Sequence, residues 1–238
     1  FNVNYSRGDF NAGVRFESYQ NALLGYDPRY KGSGIASRWA SYKHEFIEVT
    51  AGNFYEQYGS GILLRSYEDR NLGIDNSIDG IKVVLNPHKS LILKGLAGQH
   101  RYFFDKGPGI VRGADAELHV NDIKESWQDK ELHLILGGSF VSKFQQDRDP
   151  NFNLPQNVGA FSGRVNLNHK KKSLFAEYAY KINDPTAVNN MIYKDGQALI
   201  LNASYSTRGF SALVGAKRIE NMDFKSDRNA NLNFLQIN

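Results

Sequence analysis

Apolar and polar residues alternate with a period of two along much of this chain. In residues 111–121, Ala116 and Leu118 fall on one side of the predicted strand, and Glu117 and His119 fall on the other. This period is typical of a β-strand whose two faces meet different surroundings. About twelve runs of this kind follow one another, which is enough for a barrel-sized sheet.

The connections between these runs alternate in length. Short connections fall at residues 6–9, 43–45, 86–89, 123–130, 169–172 and 206–209, and long ones at 21–34, 57–77, 103–109, 145–157, 183–197 and after 220. All six prolines lie in these connections, as expected because proline cannot donate to a strand ladder. Bacterial outer-membrane barrels keep short turns on the periplasmic side and longer loops outside. The sequence therefore predicts an all-β, up-and-down antiparallel transmembrane β-barrel in a Gram-negative outer membrane.

Composition agrees with this prediction and excludes several other classes. The chain has 238 residues, 41% of them hydrophobic, and a mean hydropathy of -0.50. No run of about 18 apolar residues occurs, so we expect no membrane-spanning helix. The absence of cysteine excludes disulfide frameworks and thiol nucleophiles. The net charge of +4 comes from interleaved signs, so we expect no nucleic-acid partner.

We interpret residues 1–238 as a single barrel domain, incomplete at both ends, with further strands in the complete protein. Its polar face should line a lumen. The residues predicted to do so are Arg15, Glu17, Arg38, Glu48, Lys82, Lys94, Asp115, Glu117, His119, Lys143, Arg164 and Glu177. In a narrow barrel these charges would pair across the interior and seal it, whereas in a wide barrel they would line a weakly selective channel.

The most unusual stretch is residues 52–76, which is rich in glycine and charge around an apolar Ile-Leu-Leu core. Such a loop can fold into a barrel and constrict it, with Arg65 and Arg70 opposing Glu68 and Asp69 across the opening. It can equally extend two strands above the membrane, where the same charges make ordinary salt bridges. The sequence leaves both interpretations open.

Residues 51–80 resemble the corresponding segment of an uncharacterised family of Bacteroidota outer-membrane β-barrel proteins, and the strand rhythm of the whole chain is similar to that family. The resemblance implies an outer-membrane location and a longer parent chain. It implies no activity and no catalytic residue.

Candidate chemistry is weak, and we expect no enzyme, metal or cofactor. His119 and His133 share a polar face with lumen-lining charges, and no Gly-x-Ser-x-Gly motif surrounds any serine. Asp115, Glu117 and His119 form a carboxylate and imidazole ladder, but this spacing arises in any strand with a polar inner face. Neither pattern indicates a reaction.

Two hypotheses therefore remain for function. The first is a porin-like channel or passive transporter for small polar solutes. The second is a non-catalytic barrel subunit that docks to other outer-membrane proteins or lipoproteins. Outer-membrane lipid is the expected partner in both cases.

The two faces can be tested by placing a charge on each. We expect Leu118→Arg to impair folding into lipid vesicles by about 2 to 4 kcal/mol if residue 118 lies near the bilayer midplane. His119→Arg, one residue away on the polar face, should be tolerated. Equal folding free energies for the two variants, measured by denaturant titration, would show that the alternation does not separate lipid from lumen.

Overall fold

The computed structural model describes residues 1–21, 31–230 and 236–238. These residues are almost entirely β-structure. The strands are β1 (Asn2–Arg7), β2 (Phe10–Tyr19), β3 (Gly32–His44), β4 (Ile47–Phe54), β5 (Glu68–Asp69), β6 (Ile74–Asp75), β7 (Ile78–His88), β8 (Leu91–Tyr102), β9 (Asp105–His119), β10 (Leu132–Phe144), β11 (Asn157–His169), β12 (Lys172–Lys181), β13 (Gly196–Thr207) and β14 (Phe210–Glu220). A 3-10 turn, Val120–Asp122, and a four-residue helix α1, Glu125–Gln128, join β9 to β10. None of the described helices has the length and apolar character needed to cross a membrane.

Twelve strands form one antiparallel sheet in the order β1-β2-β3-β4-β7-β8-β9-β10-β11-β12-β13-β14. Each strand pairs with the next long strand along the chain, while β5 and β6 form a separate small hairpin. The all-β class and the up-and-down antiparallel order are thus confirmed. Among the described residues, β1 and β14 are the two edges of the sheet.

The strand register places apolar side chains together on the outer face of the sheet. Leu136, for example, lies opposite Leu118 on one neighbouring strand and opposite Val165 on the other. Exposed apolar residues of this face are Val3, Tyr5, Phe10, Val14, Phe16, Ile35, Tyr42, Ile81, Leu136, Phe140, Phe161, Leu174, Tyr178, Leu199, Leu201, Tyr205 and Val214. Directly opposed side chains of an antiparallel pair share a face, so the alternation in the sequence becomes a continuous apolar surface.

The sheet curves strongly around its polar face. Arg101 Nη2 on β8 lies 3.0 Å from Glu17 Oε2 on β2. In a flat sheet these strands would be four strand spacings of about 4.8 Å apart, or roughly 19 Å. Direct contact between the two side chains therefore requires the sheet to bend like part of a barrel wall, with the polar face inside.

Two connections differ from the sequence prediction. The predicted long loop at residues 103–109 is a two-residue turn, because β9 begins at Asp105 and Phe103 adopts a positive φ of 56°. The predicted short turn at residues 123–130 instead contains α1.

Two prolines also lie inside strands. Pro108 falls in β9 where the pairing with β8 shifts between Gln99 and Arg101, and Pro87 falls in β7 where the register shifts between Leu85 and His88. A register shift leaves an unpaired backbone position, which is where a strand tolerates proline.

Gly52 allows β4 to pass close to β3 before the chain turns inward. Its φ is +100°, and a Cβ atom at this position would lie 2.1 Å from the Arg38 carbonyl oxygen. We expect Gly52→Ala to destabilise the protein by about 1 to 3 kcal/mol, because both the backbone angle and the contact become strained. Gly95→Ala is the matched control, since a Cβ at Gly95 meets no atom within 4 Å. Urea unfolding in lipid vesicles measures the difference, and equal stabilities would contradict the strain.

Candidate functional site

Residues 55–77, here called the inner segment, leave the end of β4 and lie against the inner face of the sheet. Tyr58, Leu63 and Leu64 are at most 1% exposed. They pack in one core cluster with wall residues such as Val111 and Val141. A Cβ atom at Gly113 would lie 2.8 Å from Tyr58 Cε2, so the missing side chain makes room for the ring. Burial raises the pKa of the Tyr58 hydroxyl, because the phenolate would lose its hydration.

Two carboxylates anchor the inner segment to opposite parts of the wall. Glu56 lies between Lys82 on β7 and Lys94 on β8, with N–O distances of 3.4 and 2.9 Å. Four residues later, the backbone N–H of Ser60 donates to Glu177 Oε2 on β12 at 2.9 Å. The inner segment thus crosses the concave side of the sheet from β7 to β12.

Residues 221–238, here called the C-terminal segment, lie beside it in the part that the structure describes. Lys143 Nζ donates to the Lys225 carbonyl at 2.8 Å, and Lys181 Nζ donates to the Asp223 carbonyl at 2.5 Å. The backbone N–H of Arg65 donates to the Ile237 carbonyl at 2.7 Å. The two segments are therefore hydrogen-bonded both to the wall and to each other.

A second set of charges fixes the β5–β6 hairpin of the inner segment. Arg15 on β2 lies 2.9 Å from Glu68 and 2.6 Å from Asp75. Arg101 on β8 pairs with Asp75 and with Glu17. Because these side chains come from β2, β8 and the hairpin, the network ties the inner segment across the curvature of the sheet.

A compact charged cluster lies under the loops that follow β10 and β12. Asp184 is fully buried, with Lys143 Nζ at 2.7 Å, Lys181 Nζ at 4.0 Å and Arg228 Nε at 3.8 Å. One carboxylate cannot accept hydrogen bonds from every donor of three cations. Backbone carbonyls of the C-terminal segment therefore accept further hydrogen bonds from the two lysine ammonium groups. Burial lowers the pKa of Arg228, and the Asp184 carboxylate opposes that effect.

The other predicted lumen-lining residues, Arg38 excepted, lie on the inner face. Arg164 Nη1 contacts Asp115 at 2.7 Å and its Nη2 contacts Glu117 at 3.1 Å. His119 Nε2 lies 3.0 Å from the same Glu117 carboxylate. These side chains form lateral pairs along the wall, so the charges of Arg164, Asp115 and Glu117 largely neutralise one another.

Arg38 is a correction to the sequence prediction, because its side chain lies on the outer face. It stands opposite Val14 and contacts Asp79 at 3.4 Å with 57% of its side chain exposed. The pairing of β2 with β3 skips Ala36, and this irregularity changes which residues of β3 face inward. Trp39 takes the inward position instead.

The four residues predicted for the constriction have different surroundings. Glu68 belongs to the Arg15 network, and Arg70 pairs with Glu68 at 3.0 Å while remaining exposed. Asp69 accepts the N–H groups of the following turn, from Asn71 at 2.9 Å and Leu72 at 3.2 Å. Arg65 is exposed and stacks over the Tyr67 ring at 4.8 Å. Only Glu68 and Arg70 face each other as a pair.

Several residues of the site were missed from the sequence, namely Glu56, Asp75, Arg101, Asp184 and Arg228. Four of these lie outside the regular strands or in the two-residue β6, where period-two alternation gives no signal. Arg101 follows a register shift in β8, so counting along the strand does not assign its face. The described residues contain no group of three His, Cys, Asp or Glu side chains suited to a metal ion.

Open space remains on both sides of the two segments. One cleft of about 420 Å³, here called the Trp39 cleft, is bounded by the inner faces of β1, β2, β3, β4 and β7. A second of about 510 Å³, here called the Arg65 cleft, lies between the segments and the inner face of β13 and β14. Polar and apolar groups line both clefts in comparable amounts.

The contact between Gly113 and Tyr58 can be tested without changing the inner segment. We expect Gly113→Val to displace the Tyr58 ring and to speed hydrogen–deuterium exchange in residues 58–64, because the ring loses its place against β9. Gly163→Val is the control, since a Cβ there meets no atom within 4 Å. Unchanged exchange in residues 58–64 of Gly113→Val would contradict the packing.

Comparison with known proteins gives one family match and several similar solved structures. No curated protein matches the chain. The OmpTdeltaL8 outer membrane protein of Vibrio cholerae is similar with a TM-score of 0.48 and 13% identity, over 92% of this chain and 73% of that one. The outer membrane protein opdK of Pseudomonas aeruginosa is similar with a TM-score of 0.43 and 14% identity, over 87% of this chain and 71% of that one. The BenF-like porin of Pseudomonas fluorescens Pf-5 is similar with a TM-score of 0.41 and 10% identity, over 84% of this chain and 67% of that one.

The Bacteroidota origin expected from the sequence stays a prediction. A family described as a family of unknown function (DUF6029) matches residues 1–238. The chain therefore belongs to the DUF6029 family.

Proposed function

We propose that this protein is an outer-membrane β-barrel channel for small polar solutes, with a lumen narrowed by the inner and C-terminal segments. The observation that carries the proposal is the division of the sheet into two faces. The outer face is apolar and exposed, while the inner face is polar and still holds open clefts beside the two segments.

The outer face supports a lipid environment. Large side chains such as Ile35, Phe161 and Tyr178 are each at least 50% exposed, and the apolar surface continues across neighbouring strands. A soluble protein rarely exposes so extended an apolar surface. In a bilayer the same surface is buried in hydrocarbon, and the strand ladders satisfy the backbone polar groups there.

The inner face supports a narrowed aqueous path. The two segments fill the middle of the concave side, where Tyr58, Leu64 and Phe224 are fully buried. The Trp39 cleft and the Arg65 cleft remain open on either side of them. Solutes would therefore pass along the wall beside the segments, and the narrow width would limit them to small molecules.

Charge pairing supports weak ion selectivity. Most inner charges already face a partner, as in Arg164 with Asp115 and Glu56 with Lys82. Arg65 differs, because it is exposed and lines the Arg65 cleft together with Lys217. Asp223 lines the same cleft, so two cations outnumber one carboxylate there. That side of the lumen should therefore be mildly attractive to anions.

Planar-bilayer recordings test the channel and its selectivity together. We expect ion conduction, and we expect Arg65→Gln to shift the reversal potential in asymmetric KCl toward cation preference, because a positive charge leaves the lumen. Arg112→Gln is the control, since Arg112 lies opposite Ala97 on the outer face and its loss should leave the reversal potential unchanged.

Two outcomes would contradict the proposal at different levels. A folded protein that never conducts would overturn the channel and favour the docking subunit. A conducting protein whose reversal potential responds equally to both substitutions would place the Arg65 cleft outside the ion path.

A further inference from the structure

We propose that the Trp39 cleft is a binding site for a neutral saccharide, with Trp39 as its stacking platform. The inference rests on the proposed channel function and names a solute class for it. It is carried by the position of one indole ring and by the groups around it.

Trp39 packs closely over Gly13 on the wall. The two residues are directly opposed on β3 and β2. A Cβ atom at Gly13 would lie 2.6 Å from Trp39 Nε1 and 2.8 Å from its Cε2. The ring therefore occupies the space that a side chain at position 13 would fill. It is partly exposed and lines the cleft. Any larger residue at position 13 would push the ring away from the wall.

Hydrogen-bonding side chains surround the ring. Asn4 Oδ1 would lie 2.7 Å from the same Cβ, so the amide sits at the edge of the indole. Ser41, Glu48 and Thr50 line the cleft from β3 and β4. An amide, two hydroxyls and a carboxylate beside an aromatic face suit a sugar ring, whose C–H face is apolar and whose edge carries hydroxyls.

Electrostatics favour a neutral ligand. Each charged residue of the cleft already has an opposite partner: Lys82 lies 3.4 Å from Glu56, Arg15 pairs with Glu68 and Asp75, and Glu48 lies 3.6 Å from Lys43. A charged solute would have to compete with these pairs, whereas a polyol adds hydrogen bonds without disturbing them. The cleft volume of about 420 Å³ lies in the usual range of small-molecule sites.

The chain offers a direct optical test, because Trp39 and Trp127 are its two tryptophans. Trp127 lies in α1, between β9 and β10, and not in the cleft. In the Trp127→Phe variant of the 238-residue chain, folded in detergent micelles, tryptophan fluorescence comes from Trp39 alone. We expect maltose, cellobiose or mannobiose to change this emission saturably, and the charged disaccharide digalacturonate to bind at least about tenfold more weakly.

Two further variants separate the platform from general folding. Gly13→Ala in the Trp127→Phe background should weaken saccharide binding at least about tenfold while keeping the fold, because the added methyl moves the ring. Trp39→Phe retains Trp127 emission, which should not respond to saccharide.

The outcomes distinguish this inference from the channel proposal. If none of the three neutral saccharides changes Trp39 emission, or if digalacturonate binds as tightly as they do, the neutral-saccharide site is overturned even in a conducting protein. If saccharide binds through Trp39 but the protein never conducts, the channel proposal is overturned and the saccharide site stands.

Discussion

The register of the antiparallel ladder is the constraint on which the rest of this structure depends. A strand presents successive side chains to opposite faces, so a slip of one residue would exchange the two faces of that strand. In β9 such a slip would move Asp115 and Glu117 to the apolar side and break their contacts with Arg164. The same strand register is required by the outer apolar surface, by the inner charge pairs and by the packing of the inner segment against the wall.

The concave side of the sheet stabilises polar groups by supplying them with partners from two irregular segments. Buried charges are costly unless they are paired or hydrogen-bonded. Here Glu177 receives the Ser60 N–H, Glu56 lies between two lysines, and Lys143 reaches both Asp184 and a backbone carbonyl. The segments therefore supply partners to the buried charges of the wall, and the wall supplies partners to those of the segments. The apolar cluster around Tyr58 and Leu64 lies among these polar contacts.

Two glycines in the wall make room for aromatic side chains that pack on its inner face. Gly113 makes room for Tyr58, and Gly13 makes room for Trp39. In each case a strand residue without a side chain lets an aromatic ring approach the backbone closely. One ring is sealed in the core by the inner segment, whereas the other borders an open cleft. A strand glycine beneath an aromatic ring thus serves core packing at Tyr58 and, in our proposal, saccharide binding at Trp39.

Most of the fold could be predicted from the sequence, because the period of two is a local property that each strand carries by itself. It indicated the all-β class, the meander order and the inner position of residues such as Arg15, Asp115 and Glu177. The sequence predictions failed where the period of two is interrupted. The irregular pairing at Ala36 places Arg38 on the outer face, and a register shift in β8 means that alternation does not predict the inward position of Arg101.

The path of residues 55–77 was left open by the sequence and decided by the tertiary structure. Their charges can bridge to each other locally or to distant strands, and composition does not distinguish these cases. The contacts from Glu56 to Lys94 and from Ser60 to Glu177 join residues far apart in the chain. Such contacts exist only once the sheet has curved and brought those strands around a common interior, so they leave no periodic signal in the sequence.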